Sequence, residues 1–289
     1  MLQQTSSQAP VVHFKWNDYR RSYSTRAGNG WGSHVLEYAE IDAGTLKARL
    51  LVVPVGQGSV PRVETEDLVL VNLSGAVQVE VGSSKVVMVV RDQLTIPAGT
   101  TYRFFNIDLN SAVLFAARNI ATTSTDVKGG PSGASMHMLW DDCRRRFRWG
   151  LPFADKWGMH RGSGPRVSTE HLVGHMVQQP VGQGSPWHAS SRDLIFIQLE
   201  GSVQFNAAGE RWGLEPFDLF MMRYGTPYSY SNVGTTEVLF FDIGGNAYAA
   251  GGSTYYADDP GWPVRADAVK LSTALDPTGS SYLSAHGAS

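Results

Sequence analysis

An internal repeat is the feature that most constrains how this chain can fold. The hexapeptide Pro54–Ser59 returns unchanged as Pro180–Ser185, an offset of 126 residues (182 − 56, measured on Gly56 and Gly182). Identities continue at this offset without a gap, at Asp67/Asp193, Leu68/Leu194, Gly75/Gly201, Asp92/Asp218, Gly99/Gly225, Tyr102/Tyr228 and Asn106/Asn232. A duplicated domain explains this pattern better than chance does, so we predict two similar folded units.

Short β-forming runs separated by turn residues make up each copy of the repeat. Residues 69–73 and 195–199 are rich in β-branched and aromatic side chains, and a glycine follows each run. The chain has 31 glycines among 289 residues, which suits many tight turns. Such runs at regular spacing predict a β-sandwich or a small barrel.

Both copies resemble the two sequence motifs of the cupin superfamily. The second copy reads Gly182-x5-His188-x-Ser190, then Gly201, then Tyr224-Gly225-Thr-Pro-Tyr228-x3-Asn232. The first reads Gly56-x5-Arg62-x-Glu64, then Gly75, then Pro97-x-Gly99-x2-Tyr102-x3-Asn106. The resemblance covers roughly residues 40–120 and 166–245. It implies an all-β bicupin, with two tandem jelly-roll barrels and a short mixed or helical linker.

Domain boundaries follow from that frame. We expect an N-terminal arm at 1–40, cupin domain 1 at 41–125, a linker at 126–165, cupin domain 2 at 166–245 and a C-terminal tail at 246–289. The arm is aromatic and basic between residues 13 and 33, so it either packs on a barrel or a partner subunit or forms an ordinary surface strand. With an open jelly-roll edge to cover, this arm favours a homodimer.

Composition restricts the partners and the compartment. The 24 basic and 26 acidic residues nearly balance, so we expect no nucleic-acid partner. No run of about 18 apolar residues or signal peptide is evident, so no membrane partner is expected. The single cysteine, Cys143, fits a reducing compartment, and we predict a cytoplasmic protein.

The motif positions lack most of the residues that bind metal in cupins. In metal-binding cupins the first motif supplies two His and one Glu, and the second supplies a third His. The corresponding residues here are His188, Ser190, Leu194 and Tyr228 in the second copy, and Arg62, Glu64, Leu68 and Tyr102 in the first. Leu cannot ligate a metal, and an Arg places positive charge where the cation would sit. We expect no metal cofactor. The alternative is Fe, Mn, Ni or Zn at His188, helped by Asp193 or His175.

Two further histidines, His171 and His175, lie on one face if residues 170–177 form a strand. At about 3.3 Å per residue they are then about 13 Å apart and cannot ligate one ion. His175 aligns with Arg49 at the repeat offset, so both copies have a basic residue there. We interpret both histidines as surface or hydrogen-bonded strand residues, with a site role as the alternative.

A candidate small-molecule site lies inside the second barrel. If positions 188, 190 and 194 point inward, alternation directs 196 and 198 inward as well, while 228 and 230 share the inward face of their strand. An apolar cavity with a few polar groups is the usual make-up of a ligand site. The predicted substrate-binding residues are Ser190, Phe196, Gln198, Met222, Tyr230 and, at the wall or rim, Trp187.

His188 and Tyr228 are the candidate catalytic residues. Histidine titrates near neutrality and serves as a general acid or base, and a phenol can donate a proton or stabilise an oxyanion. Such a pair can enolise a carbonyl compound, or eliminate or epimerise, without metal; metal-free sugar epimerases among the cupins are an analogy. The alternative is that the two side chains fill the barrel and bond to each other.

The first barrel offers Arg62, Glu64, Asn72 and Tyr102. Arg62 and Glu64 can form a partly buried ion pair, and we expect this barrel to be mainly structural or dimerising. The leading hypothesis is a lyase or isomerase that acts on a small aromatic or carbonyl-bearing substrate. The alternatives are a metal-dependent oxygenase or decarboxylase with an altered ligand set, and a non-catalytic ligand-binding or scaffold bicupin.

Overall fold

The computed structural model describes residues 9–20, 24–27, 34–38, 40–120, 135–149, 162–169, 171–247, 253–256 and 270–273. Two short helices occur there, α1 (Trp16–Tyr19) and α2 (Trp140–Arg145). The strands up to α2 are β1 (Val11–Phe14), β2 (Ser24–Ala27), β3 (His34–Glu37), β4 (Ile41–Asp42), β5 (Leu46–Val53), β6 (Arg62–Val63), β7 (Leu68–Ser74), β8 (Val77–Val81), β9 (Ser84–Met88), β10 (Gln93–Ile96), β11 (Thr101–Asn106), β12 (Ala112–Asn119) and β13 (Met136–Met138). Those after it are β14 (Arg148–Trp149), β15 (Gly162–Ser168), β16 (Val173–Gln179), β17 (Gly184–Ser190), β18 (Arg192–Glu200), β19 (Val203–Ala207), β20 (Glu210–Leu214), β21 (Leu219–Met222), β22 (Pro227–Asn232), β23 (Val238–Ala247), β24 (Ser253–Tyr256) and β25 (Lys270–Thr273).

These strands form four sheets, which confirms the prediction of an all-β chain with two jelly-roll barrels. One sheet has the order β13-β10-β7-β12-β5-β3-β2 with β4 on β5, and a second has the order β6-β11-β8-β9. The other two have the orders β1-β21-β18-β23-β16-β15-β14 and β20-β19-β22-β17-β24-β25. No helix in the described ranges is long and apolar enough to cross a membrane.

The chain divides into two compact units that follow the repeat. The first contains the described residues between 17 and 146 and between 165 and 174. The second contains β1, residues 147–149 and 162–164, and everything described after residue 174. The described start of the aromatic arm therefore belongs to the second barrel, where Val11 pairs with Met222 in antiparallel register. Trp31, at the other end of the arm, lies outside the described residues.

Each unit has its own apolar core between its two sheets. Alternation along the strands produces this core. Buried and partly buried residues alternate along most of β5 and all of β8, as expected for strands with one face on the core. In the first unit the core includes Leu70, Val79 and Phe104. In the second unit it is aromatic, since Phe196, Phe205, Phe220, Phe240 and Tyr230 pack together.

Several motif residues that the two copies share are structural. The Asn that closes each second motif holds a loop: Asn106 Nδ2 donates to the carbonyls of Val53 (2.8 Å) and Asn110 (2.7 Å). Asn232 Nδ2 donates in the same way to the carbonyls of Gln179 (3.0 Å) and Thr236 (2.8 Å). These repeated bonds explain the repeated sequence without reference to catalysis.

Each barrel also carries a clip, a strand followed by a tryptophan that is anchored on a buried aspartate. In the second unit, His13 and the backbone N–H of Trp16 bind Asp218. In the first unit, His137 and the backbone N–H of Trp140 bind Asp92. The sequence His-x-x-Trp occurs in both clips at an offset of 124 rather than 126 (137 − 13), so the duplication extends beyond the gap-free match.

Candidate functional site

Strand pairing in the second unit brings the two predicted catalytic residues together. β17 and β22 run antiparallel with His188 opposite Tyr228, after an irregularity in register between Ser185 and His188. The two ring centroids are 4.1 Å apart with the planes tilted by 47°. Both side chains are buried. The repeat therefore places a titratable imidazole against a phenol inside the barrel.

The backbone fixes the orientation of the His188 ring. Its Nδ1 lies 2.8 Å from the carbonyl oxygen of Pro186. A carbonyl can only accept a hydrogen bond, so Nδ1 carries the proton. The neutral ring then has its lone pair on Nε2, which is the arrangement that a general base requires. The bond is local, because Pro186 lies only two residues before His188 on the same strand.

Aromatic side chains surround this pair. Tyr230 lies 6.2 Å from the His188 ring, and Phe196 lies 5.9 Å from the Tyr228 ring, measured between centroids. Met222 is buried in the same cluster. The surroundings are mainly apolar, so electrostatic interactions between the imidazole and nearby dipoles are screened less than in water.

Two of the predicted substrate-binding residues, Gln198 and Ser190, make hydrogen bonds with the protein backbone. Gln198 Nε2 donates to the carbonyls of Glu200 (2.6 Å) and Gly201 (2.9 Å) and so clamps the turn that follows β18. Ser190 Oγ accepts the backbone N–H of Arg192 at 3.1 Å. Trp187 is half-buried on β17. Substrate contact by these three residues stays a prediction.

Asp242 is a candidate site residue that the sequence reasoning missed. Its Oδ1 lies 2.7 Å from Nδ1 of His175, and the two side chains are 14% and 13% exposed. Alternation places both on the barrel interior, because Phe240 and Val177, two residues along each strand, belong to the core. Asp242 also lies opposite Phe196 in the pairing of β18 with β23. Because Asp242 is two residues after Phe240, strand alternation in the sequence could have placed it on the same inward face.

His171 differs from expectation. The strand predicted over 170–177 begins at Val173, and His171 lies in the preceding turn, where its backbone N–H donates to Thr169 Oγ1. The separation calculated for one continuous strand therefore does not apply. The interpretation of His175 as a hydrogen-bonded strand residue is correct, and its partner is a carboxylate inside the barrel.

The first unit shows in which direction a side chain at the position of His175 points. Arg49, its repeat equivalent, lies with NH2 4.0 Å from the Glu64 carboxylate. Glu64 in turn accepts the hydroxyl proton of Tyr102 at 2.8 Å, and these two are the equivalents of Ser190 and Tyr228. Position 49 therefore faces the motif residues. By equivalence, the shorter side chain of His175 points into the second barrel.

An ionic network fills the motif positions of the first barrel. Glu37 is buried and accepts from Arg62 NH2 at 2.7 Å through one oxygen, while its other oxygen lies 3.0 Å from Arg49 NH1. The expected Arg62–Glu64 pair is therefore wrong: Arg62 pairs with Glu37 on β3, and Glu64 pairs with Tyr102. Burial, together with the adjacent Glu64 carboxylate, raises the pKa of Tyr102 well above its ordinary value.

Neither set of motif residues suits a metal ion. In the first barrel, Arg62 occupies a ligand position with a permanent positive charge, and the pKa of Tyr102 is raised, so its phenol stays protonated. In the second, Leu194 offers no donor atom, and the four motif positions supply a single imidazole, that of His188. Across the described ranges, no group of three or more His, Cys, Asp or Glu side chains is arranged to hold a metal. The donor set does not match what divalent iron, manganese or zinc requires.

Comparison with known proteins finds similarity only at the level of structure. No protein-family profile and no curated protein matches the sequence. AerE from Microcystis aeruginosa has a TM-score of 0.58 at 15% identity, covering 77% of this chain and 96% of that chain. Salicylate 1,2-dioxygenase from Pseudaminobacter salicylatoxidans gives 0.61 at 14%, covering 85% and 86%. Oxalate decarboxylase from Bacillus subtilis, which has Mn(II) centres, gives 0.60 at 9%, covering 84% and 78%. Such identities establish the fold, which agrees with the motif spacing.

Proposed function

We propose that this chain, a bicupin by fold, is a small-molecule enzyme that uses metal-independent acid/base chemistry in its second barrel, as a lyase or an isomerase. The observation that carries the proposal is the fixed ring of His188, with its Nδ1–H on the Pro186 carbonyl and Tyr228 against its face. This bond fixes the tautomer that general-base catalysis at Nε2 requires, and Tyr228 places a phenol against the same ring.

The proposed reaction begins with proton abstraction next to a carbonyl group. Nε2 of His188 takes the proton, the C–H electron pair forms a C=C bond to the carbonyl carbon, and the carbonyl π electrons move to oxygen, which gives an enolate. The hydroxyl of Tyr228 donates a hydrogen bond to the enolate oxygen as its negative charge develops. Protonation of the enolate on the opposite face of that carbon, or at the former carbonyl carbon after a proton shift between the oxygens of a hydroxy-carbonyl substrate, completes an isomerisation. In an elimination the enolate reforms its carbonyl and expels a leaving group from the β-carbon with its bonding electron pair, and the imidazolium of His188 returns its proton to that group.

His175 and Asp242 supply a second acid/base element in the same barrel. The Asp242 carboxylate accepts the Nδ1–H of His175 and so directs the lone pair of the neutral ring to Nε2. Asp242 is therefore a positioning residue, because it acts through His175. The apolar rings around both pairs suit an aromatic or carbonyl-bearing compound rather than a highly charged one.

Hydrogen–deuterium exchange tests the proposal without knowledge of the product. A panel of small 2-oxo acids, ketones and aryl ketones is incubated in D2O with the full chain and EDTA, and loss of α-proton signals is followed by NMR. We expect exchange into at least one compound, abolished by His188→Gln. Exchange that is equally fast in the variant, or no exchange across the panel, would overturn the proposal and favour the non-catalytic bicupin.

A metal-dependent oxygenase or decarboxylase is the second candidate function. The observation that favours it is structural similarity to salicylate 1,2-dioxygenase and to oxalate decarboxylase. The test is oxygen consumption or CO2 release with salicylate, gentisate or oxalate, after the chain has been loaded with Fe(II) or Mn(II). Activity that depends on stoichiometric bound metal would replace the metal-independent proposal.

A further inference from the structure

The outer edge of β9 in the first unit is apolar and exposed. The sheet β6-β11-β8-β9 ends at this strand, and no strand in the described ranges pairs with its outer side. The apolar run Val86–Val90 covers most of β9 and the residues just after it. Val87 is 47% exposed, Val89 50% and Val90 40%. An exposed edge of this composition is a template for another strand.

The duplicated edge in the second unit is protected, which provides an internal comparison. β20 is the edge strand equivalent to β9. At the repeat offset of 126, Val87 corresponds to Gly213, Val89 to Glu215 and Val90 to Pro216, while β20 itself begins with Glu210 and Arg211. Charges and proline are the features by which proteins keep sheet edges from pairing. The equivalent segment of the first unit, residues 84–90, has one charge, Lys85, and no proline.

We propose that a second copy of this chain covers the β9 edge, with the two β9 strands antiparallel across a two-fold axis centred on Val86. In this register Ser84 of one copy lies opposite Met88 of the other, so the whole strand pairs with itself. A two-fold contact requires a self-complementary patch, and an edge of this kind provides one. The two four-stranded sheets then form one continuous sheet.

Charge agrees with this occupant. Lys85 faces Val87 of the second copy in the proposed register, so the two lysines are diagonal neighbours about 7–8 Å apart rather than opposite each other. Each lysine already has a carboxylate partner in its own chain, because Lys85 Nζ lies 3.0 Å from Glu80 Oε1. The contact therefore brings two apolar strands together without facing like charges. Val89 and Val90 flank it and extend the apolar area.

Light scattering of the full chain, with three variants, tests the contact. We expect the wild type at twice 31.5 kDa at micromolar concentration. Val87→Lys places a charge opposite the partner's Lys85 twice in the dimer and should raise the dimer dissociation constant by about 10- to 30-fold. Val87→Glu faces the same lysine with the opposite charge and should stay within about threefold of the wild type.

Gly213→Lys is the matched control on the protected edge. No atom lies within 4 Å of a Cβ built at Gly213, so the side chain fits there. This variant should dimerise like the wild type, and thermal unfolding checks that all three variants fold. The proposal is overturned if the wild type is a monomer, if Val87→Lys still dimerises normally, if the two Val87 variants are equally disruptive, or if Gly213→Lys disrupts the dimer.

Discussion

The backbone N–H of Trp16 donates to Oδ1 of Asp218 at 2.7 Å, across 202 residues of sequence. The same bond, at the same 2.7 Å, joins Trp140 to Asp92 in the first unit. In each unit a histidine ring contacts the other oxygen of the aspartate. Each barrel therefore carries the same kind of clip. The clip of the second barrel precedes both copies of the repeat in the sequence, and the clip of the first barrel lies between them.

Removal of the clip anchor should destabilise the protein, more at neutral pH than in acid. Asp218→Ala leaves the Trp16 and Glu215 N–H groups without an acceptor, and we expect a loss of about 2–3 kcal/mol in the free energy of unfolding. Burial raises the pKa of Asp218, but hydrogen bonds from His13, Trp16 and Glu215 outweigh it and hold that pKa below its ordinary value. A lowered pKa means that the ionised form stabilises the fold above about pH 4, and that this contribution is lost as the pH falls through the folded-state pKa. Urea unfolding at pH 7 and pH 3 measures the difference; an equal effect at both would contradict the assignment.

Substitution of His188 should remove turnover and leave the fold intact. With a compound that exchanges its α-protons, we expect His188→Gln to lower the rate by about 10²–10⁴-fold, because the general base is lost. Tyr228→Phe should lower the rate as well while its ring continues to pack. Arg62→Ala, the repeat equivalent in the first barrel, is the control for turnover. Equal rates for the His188 and Arg62 variants would place the site elsewhere.

Asp242→Asn should lower kcat without changing KM, because the amide no longer holds His175 in one tautomer. We expect a decrease of about 10- to 100-fold. Asp242→Glu keeps the carboxylate and should recover part of the activity, which a purely structural role would not produce. If Asn and Glu variants have the same kcat, Asp242 does not act through His175.

Glu37→Gln should destabilise the first barrel, since two arginines lose a shared carboxylate. Arg62 is only 10% exposed, so an unpaired charge there costs about 3 kcal/mol in the free energy of unfolding. The exposed pair Asp141–Arg144 is the control, and Asp141→Asn should barely change the melting temperature. Turnover in the second barrel should not change in either variant. An unaltered melting temperature in Glu37→Gln would contradict the structural role of the network.

Chelation should leave the protein unchanged. A bound ion stabilises the native state by mass action, so its removal would lower the melting temperature. We expect the same melting temperature and the same exchange rate before and after prolonged dialysis against EDTA, checked alongside elemental analysis. A loss of several degrees that Fe(II) or Mn(II) restores would favour the metal-dependent alternative.

Sequence alone determined the repeat, the β class, the cupin fold and the meeting of His188 with Tyr228. Each follows from local or periodic information. The offset of 126 aligns the motifs, and strand alternation separates inward from outward positions. His188 and Tyr228 meet because both motifs have fixed places in the fold that they resemble.

Only the tertiary structure decided which polar groups became partners. Asp242 and His175 are on strands β23 and β16, and Arg62 takes Glu37 on β3 rather than Glu64 two residues away. The side chain of Gln198, which alternation directs inward, donates hydrogen bonds to two backbone carbonyls in the turn after β18. Strand order and the reach of long side chains set these contacts, and neither depends on local propensity or on period. A buried charge pairs with whichever opposite charge the topology brings within reach, because leaving it unpaired costs more than any local preference.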